Sequence, residues 1–123
     1  MAQFYYALDL KDEPGVIEEY ERWHQPENIW PEVVDSLRSM GIDDMQILRC
    51  GNRLVMVVEV GPTYRAQDRA AAHDAGHPRV QAWEELMWRF QRPLPFAAIG
   101  EKWVPMKSVF ALSGVLALRG GKP

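Results

Sequence analysis

The chain has 123 residues, a hydrophobic share of 47%, a charged share of 25% and a formal net charge of −3. These values describe one globular domain long enough to bury its own core, without the basic excess that binding to a phosphate backbone requires. The longest apolar run, Leu54 to Val58, is strand-sized and falls far short of the ~20 residues of a membrane helix, so neither nucleic acid nor membrane is an expected partner.

Phe4 to Leu10, FYYALDL, is aromatic and strand-forming, and Pro14 in the following KDEPG fits the first turn of a helix. Val16, Ile17, Tyr20 and Trp23 then share one arc with His24, while Glu18, Glu19, Glu21 and Arg22 fall outside it, which is the pattern of an amphipathic helix. Pro26 disfavours helical geometry at Gln25 and ends this helix near His24. Pro31 opens a second segment with Val33, Val34, Leu37 and Met40 inward, and Gly41 stops it.

The segments MQILRC and RLVMVVEV flank Gly51-Asn52 and read as a hairpin, with Cys50 as a strand residue. A single cysteine forms no internal disulfide, and the N-terminus lacks the blocks of a signal peptide, so a cytoplasmic location is expected. Pro62 to His73 is polar and alanine-rich and could hold a short helix. Pro78 starts a longer one with Val80, Trp83, Met87 and Phe90 on one side, ending before Pro93. RPLPFAAIGEKWVP is a long loop of the kind that often carries function. MKSVFAL reads as a last strand and SGVLALRGGKP as a frayed tail, unless Val115 to Leu118 pair along a sheet edge.

The order β-α-β-β-α-β is that of an α+β, ferredoxin-like sandwich, as one domain over residues 1–112 with a tail over 113–123. In RLVMVVEV the set Leu54, Met56, Val58 and Val60 is apolar, and the alternate set contains Val55 and Val57, so both sheet faces avoid water. Either a partner subunit, giving a homodimer, or the chain's own tail covers the second face.

Tyr20 and His24 are one helical turn apart and can reach one pocket, although His24 bonding a backbone carbonyl while Tyr20 fills core is an equally consistent arrangement. Glu84 lies among Val80, Trp83 and Met87 on an inner arc, where a lone carboxylate is unusual. It is either a pocket acid or base or one half of a salt bridge, with Arg22 or Lys102. Glu59, on the less covered side of its strand, is expected to be exposed. Five tryptophans exceed what core filling needs, and flat indole walls suit the apolar faces of sugar rings. His73 and His77 are four apart, but the glycine and proline around them and the lack of a third ligand make a metal site weak, and no metal is expected.

The combination of EEYERWH and IWPE with QAWEELM and a closing SVFAL resembles the L-rhamnose mutarotase family over residues 4 to 112, and LMWRFQRPLP and KWVPM look like its fucose-associated branch. That resemblance implies a dimeric ferredoxin-like barrel and cofactor-free interconversion of the α and β anomers of a 6-deoxyhexose. It carries the family's catalytic histidine onto His24, its tyrosine onto Tyr20, and the first of two paired pocket tryptophans onto Trp83. The second of that pair is Glu84 here, and two extra residues fall between His24 and Ile29; both departures favour L-fucose over L-rhamnose. Trp30 and Trp103 are further expected to stack on the sugar, and Glu84 to bind its hydroxyls. Dimeric ferredoxin-like domains also host cofactor-free monooxygenases and lactone isomerases, and a non-catalytic sugar-binding domain is a third possibility. An oxygenase or decycling pocket is expected to be mostly apolar, and a sugar pocket to carry hydrogen-bonding side chains around the histidine.

Overall fold

The computed structural model describes residues 2–64 and 77–120. The elements are β1 (Ala2–Leu10), α1 (Val16–Trp23), α2 (Pro31–Ser39), β2 (Ile42–Cys50), β3 (Arg53–Val60), α3 (Pro78–Trp88), β4 (Gln91–Arg92), β5 (Val104–Pro105) and α4 (Leu112–Leu118). The antiparallel sheet has the order β2-β3-β1-β4, and β5 pairs with β1 alongside β4. This is the ferredoxin-like order expected from the sequence.

The β2–β3 hairpin turns on Gly51 at φ 60°, and no non-glycine residue among those described has positive φ. Positive φ at the first central residue alone belongs to a II′ turn, which explains Gly-Asn here rather than Asn-Gly. Asn52 also ties the turn to β1: its carbonyl accepts from Leu10 N at 2.7 Å, and its Nδ2 donates to Leu10 O at 3.0 Å. Across β1 and β3, Asp9 faces Arg53 and receives a two-pronged ion pair at 2.7 and 3.1 Å, which holds the register with charge as well as backbone bonds.

One sheet face carries Leu8, Leu10, Leu54, Met56 and Val58, all buried, and the helices pack over it. From the helices come Tyr20, Val33, Val80, Trp83 and Met87, with Phe90 just past α3. Val34, expected inward, is exposed, because α2 turns only Val33, Leu37 and Met40 toward the sheet. Gly41, at φ 88°, ends α2 in a conformation that a side chain would strain.

The fourth strand departs from expectation. MKSVFAL is not a strand: the pairing at that edge is divided between Gln91–Arg92 and Val104–Pro105, and after Met106 N donates to Tyr5 O at 2.8 Å the chain runs on without regular structure to α4. Val115 to Leu118 accordingly lie in a helix and do not pair along the sheet edge. The split has a physical cause. Two tight strand fragments suffice to cap β1, and the intervening residues 93–103 leave the sheet and return, with buried Leu94 as their anchor. Their turn is tied by Glu101, whose carboxylate accepts from Ala98 N at 3.0 Å.

On the opposite sheet face Tyr5 and Leu48 are exposed while Val55 and Val57 are only partly covered. The tail adds exposed Met106, Val109, Phe110, Leu112 and Leu118. Both apolar surfaces thus stay at least partly open among the described residues. Glu59 is half-buried on that face and accepts a hydrogen bond from Gln3 Nε2 at 2.8 Å. Cys50 is exposed at the end of β2. Most of the Pro62–His73 stretch lies outside the described residues.

Candidate active site

Helix α1 ends where the sequence says it must. His24 is its C-cap, at φ −93° and ψ 2°, and the chain after it folds back so that Asn28 Nδ2 donates to Arg22 O at 2.8 Å and caps the open end of the helix. The loop after His24 therefore closes the end of the helix.

The His24 ring is fixed from below. Its Nδ1 donates to the Tyr20 carbonyl at 2.8 Å, which leaves Nε2 with a free lone pair, and burial lowers its pKa below the ordinary histidine value, a shift that this backbone bond partly offsets. The neutral imidazole is thus the favoured form. The Tyr20 ring lies 4.3 Å from that of His24, centroid to centroid, and the Trp83 ring meets His24 edge-on at 5.4 Å. Burial drives the Tyr20 phenol well above its usual acidity range, against a hydrogen bond from the Gln91 side chain and with the help of the Glu84 charge. Tyr20 therefore works as a neutral hydroxyl. Both of the alternatives left open for the Tyr20–His24 pair hold at once: the carbonyl bond is structural, and it is what aims the other nitrogen.

These side chains edge a cavity of about 110 Å³. Its lining joins apolar side chains, Ile29 from the α1–α2 loop, Val33 and Leu37 from α2, and Met45, Ile47 and Met56 from the sheet, to Tyr20, His24, Trp83, Glu84 and Trp103. By the polarity criterion it is mixed, neither the all-apolar pocket of an oxygenase nor a wholly polar one. Trp103, returned by the 93–103 loop, packs on both halves of the core as well as on the cavity. Glu84 reaches the cavity and also bonds Lys102 Nζ at 2.6 Å, so it is a pocket carboxylate and a salt-bridge partner together.

Trp30 stands one layer back. Its ring packs edge-on against Trp83 at 5.3 Å and Trp23 at 6.4 Å, and the Arg79 guanidinium lies 3.8 Å above it. It supports Trp83 and does not border the cavity. Gln91, buried behind Tyr20 on the two-residue strand β4, carried no sequence signal, nor did the wall from Met45, Ile47 and Met56, since only strand pairing brings them under the helices. His77 caps α3, its Nδ1 accepting from Arg79 N at 3.1 Å; His73 lies outside the described residues. Among the described residues no three His, Cys, Asp or Glu side chains are grouped to hold a metal ion, and no helix is long and apolar enough to cross a membrane.

A family model described as L-rhamnose mutarotase matches residues 3–112. The chain is 50% identical over 121 residues to an L-fucose mutarotase of Xanthomonas campestris pv. campestris, covering 98% of this chain and 96% of that one. It is 30% identical over 110 residues to an L-rhamnose mutarotase of Sinorhizobium fredii, covering 88% and 97%. The crystal structure of an L-rhamnose mutarotase from Formosa agariphila superposes with a TM-score of 0.64 at 18% identity, over 91% of this chain and 99% of that one, a likeness of fold.

Proposed function

The chain belongs to the L-rhamnose mutarotase family, and from that premise we propose that it interconverts the α and β anomers of a 6-deoxyhexose, with L-fucose preferred to L-rhamnose. The observation that carries the proposal is the His24 ring. Its Nδ1 is held by the Tyr20 carbonyl, which leaves Nε2 as the available nitrogen of a ring that lines a cavity of mixed apolar and hydrogen-bonding side chains. A 6-deoxyhexose is mixed in the same way, with a methyl group and C–H face beside its hydroxyls.

Mutarotation moves one proton from the anomeric hydroxyl to the ring oxygen, so that the C1–O5 bond breaks, C1=O1 forms, the aldehyde turns about C1–C2 and the ring recloses. Both oxygens are bonded to C1, so a nitrogen within reach of one is within reach of the other. His24 Nε2 takes the proton from O1 and returns it to O5, and positioned proton transfer of this kind is worth ~10²–10⁴-fold. Tyr20 is a poor proton donor in the full sense, given its raised pKa, but a good hydrogen-bond donor. It orients the oxygen that His24 serves. Trp83 and Trp103 stack on the ring, Glu84 accepts from its hydroxyls, and Trp30 holds Trp83 in place.

The preference for L-fucose rests on Glu84, which stands where the family resemblance puts a second tryptophan, and on the 50% identical relative. The enzymatic unit is residues 1–112, acting in the cytoplasm as a homodimer whose apolar sheet faces and tails cover one another. Saturation-transfer NMR of anomer exchange on L-fucose, L-rhamnose and D-galactose tests the proposal with wild type, His24→Ala and Glu84→Trp. Acceleration of none by wild type removes it. A shift of Glu84→Trp toward L-rhamnose supports the stated preference, and an unchanged ratio removes that part.

A further inference from the structure

Lys102 has no role in what has been said of the sugar, yet its placement is unusual. Its side chain is only 12% exposed, although lysine ammonium groups ordinarily reach for water. The ammonium lies 4.5 Å over the Trp88 ring and 2.6 Å from Glu84 Oε2, while the Glu84 side chain stays 36% exposed beside the cavity. The loop that carries it places Trp103, the next residue, into the cavity wall. Lys102 therefore sits at the junction of α3 and the 93–103 loop, on the side of the site where hydroxyls would lie.

We propose that Lys102 is the positioning residue for Glu84, holding its carboxylate at the cavity so that it reads one hydroxyl of the sugar. The geometry supports the pairing. One carboxylate oxygen is taken by the ammonium, which fixes the plane of the group and leaves Oε1 to accept from a sugar hydroxyl. Two of the ammonium's three N–H donors are spent, one on Glu84 and one directed at the Trp88 ring, so Lys102 acts through the carboxylate it holds. Burial pulls the Lys102 pKa down, and the Glu84 charge opposes that fall. In the absence of Lys102 the carboxylate would be free to rotate out to solvent.

This deepens the mutarotase proposal and rests on it. Anomer exchange is measured against concentration for L-fucose and its 2-deoxy, 3-deoxy and 4-deoxy analogues, with wild type, Lys102→Met and Lys102→Arg. Lys102→Met is expected to raise KM for L-fucose by about tenfold, the scale of a lost charge-assisted hydrogen bond, with kcat within about twofold of wild type. That ratio should collapse toward one on the analogue lacking the hydroxyl that Glu84 reads and persist on another. Lys102→Arg, which keeps the charge and donors, should restore KM to within about threefold. An unchanged KM in Lys102→Met, or an equal rise on every analogue, overturns the proposal. Thermal melts of both variants separate these outcomes from misfolding, and the wild-type series on the analogues stands even where Lys102→Met does not fold: equal KM values across it also overturn the proposal. Should wild type accelerate no sugar, the mutarotase proposal is what fails. Tryptophan-fluorescence titration of wild type and Lys102→Met with L-fucose then decides the positioning role, and equal dissociation constants would count against it.

Discussion

At the scale of the residue, His24 combines two properties that a proton carrier needs: a fixed tautomer and a depressed pKa. His24→Ala should lower the enzyme-dependent exchange rate by ~10²–10⁴-fold, read by saturation-transfer NMR. Because the neutral imidazole takes the proton, the rate should rise with pH and level off, with its midpoint below the ordinary histidine value of about 6.5. The same shift has a sign in stability. A histidine whose folded pKa is depressed binds its proton more readily when unfolded, so stability is full above about pH 6.5 and is lost as pH falls through the lower folded value. Denaturant melts between pH 7 and 5 should show this loss in wild type and a weaker slope in His24→Gln; parallel slopes would mean that burial does not perturb the ring. For Tyr20→Phe, loss of one hydroxyl that orients the substrate should lower kcat/KM by roughly tenfold while leaving the pH midpoint of His24 nearly unmoved.

At the scale of the element, what positions the site is the way α1 and α2 stop. The former ends on His24 because Pro26 forbids continuation and Asn28 caps Arg22 O. The latter ends on Gly41, where a Cβ would sit 2.9 Å from Thr63 Oγ1 and 3.0 Å from Tyr64 N, and where φ is 88°. Gly41→Ala should therefore cost about 1–3 kcal/mol of unfolding free energy, measured by urea titration, since both the backbone and its neighbours must give. A melt equal to wild type would show that α2 can end in another conformation. Both stops were legible in the sequence, because proline and glycine act on their own few dihedral angles. The division of the fourth strand was not. MKSVFAL has strand-forming residues, but β propensity expresses only what a neighbouring strand and a covered face allow, and Val104–Pro105 already occupies that edge of β1.

At the scale of the whole molecule, one face of the sheet is sealed by helices and the other bears Tyr5, Leu48, Val55 and Val57, exposed or only partly covered by the described residues. A homodimer formed on that face should dissociate when charge is placed at its centre. The double variant Leu48→Glu and Val57→Glu is expected to sediment as a monomer in analytical ultracentrifugation at micromolar concentration where wild type sediments as a dimer. A wild type that sediments as a monomer throughout removes the homodimer. The exposed apolar side chains of the tail, Phe110 and Leu112 among them, belong to the same question of what covers them.

The sequence by itself determined the element order from β1 through α3, the helical arc that puts Tyr20 and His24 on one side, the stops at Pro26 and Gly41, and the family. Each of these is written in local periodicity, in single-residue backbone limits, or in motifs that survive as strings. Only the tertiary structure decided that Glu84 meets Lys102 and not Arg22, that Trp30 backs Trp83 instead of bordering the cavity, that Gln91 stands behind Tyr20, and that Met45, Ile47 and Met56 line the cavity. Those contacts join residues far apart in the chain. Strand register and the path of the 93–103 loop set them, and no pattern within either partner's own neighbourhood encodes which distant side chain it will meet.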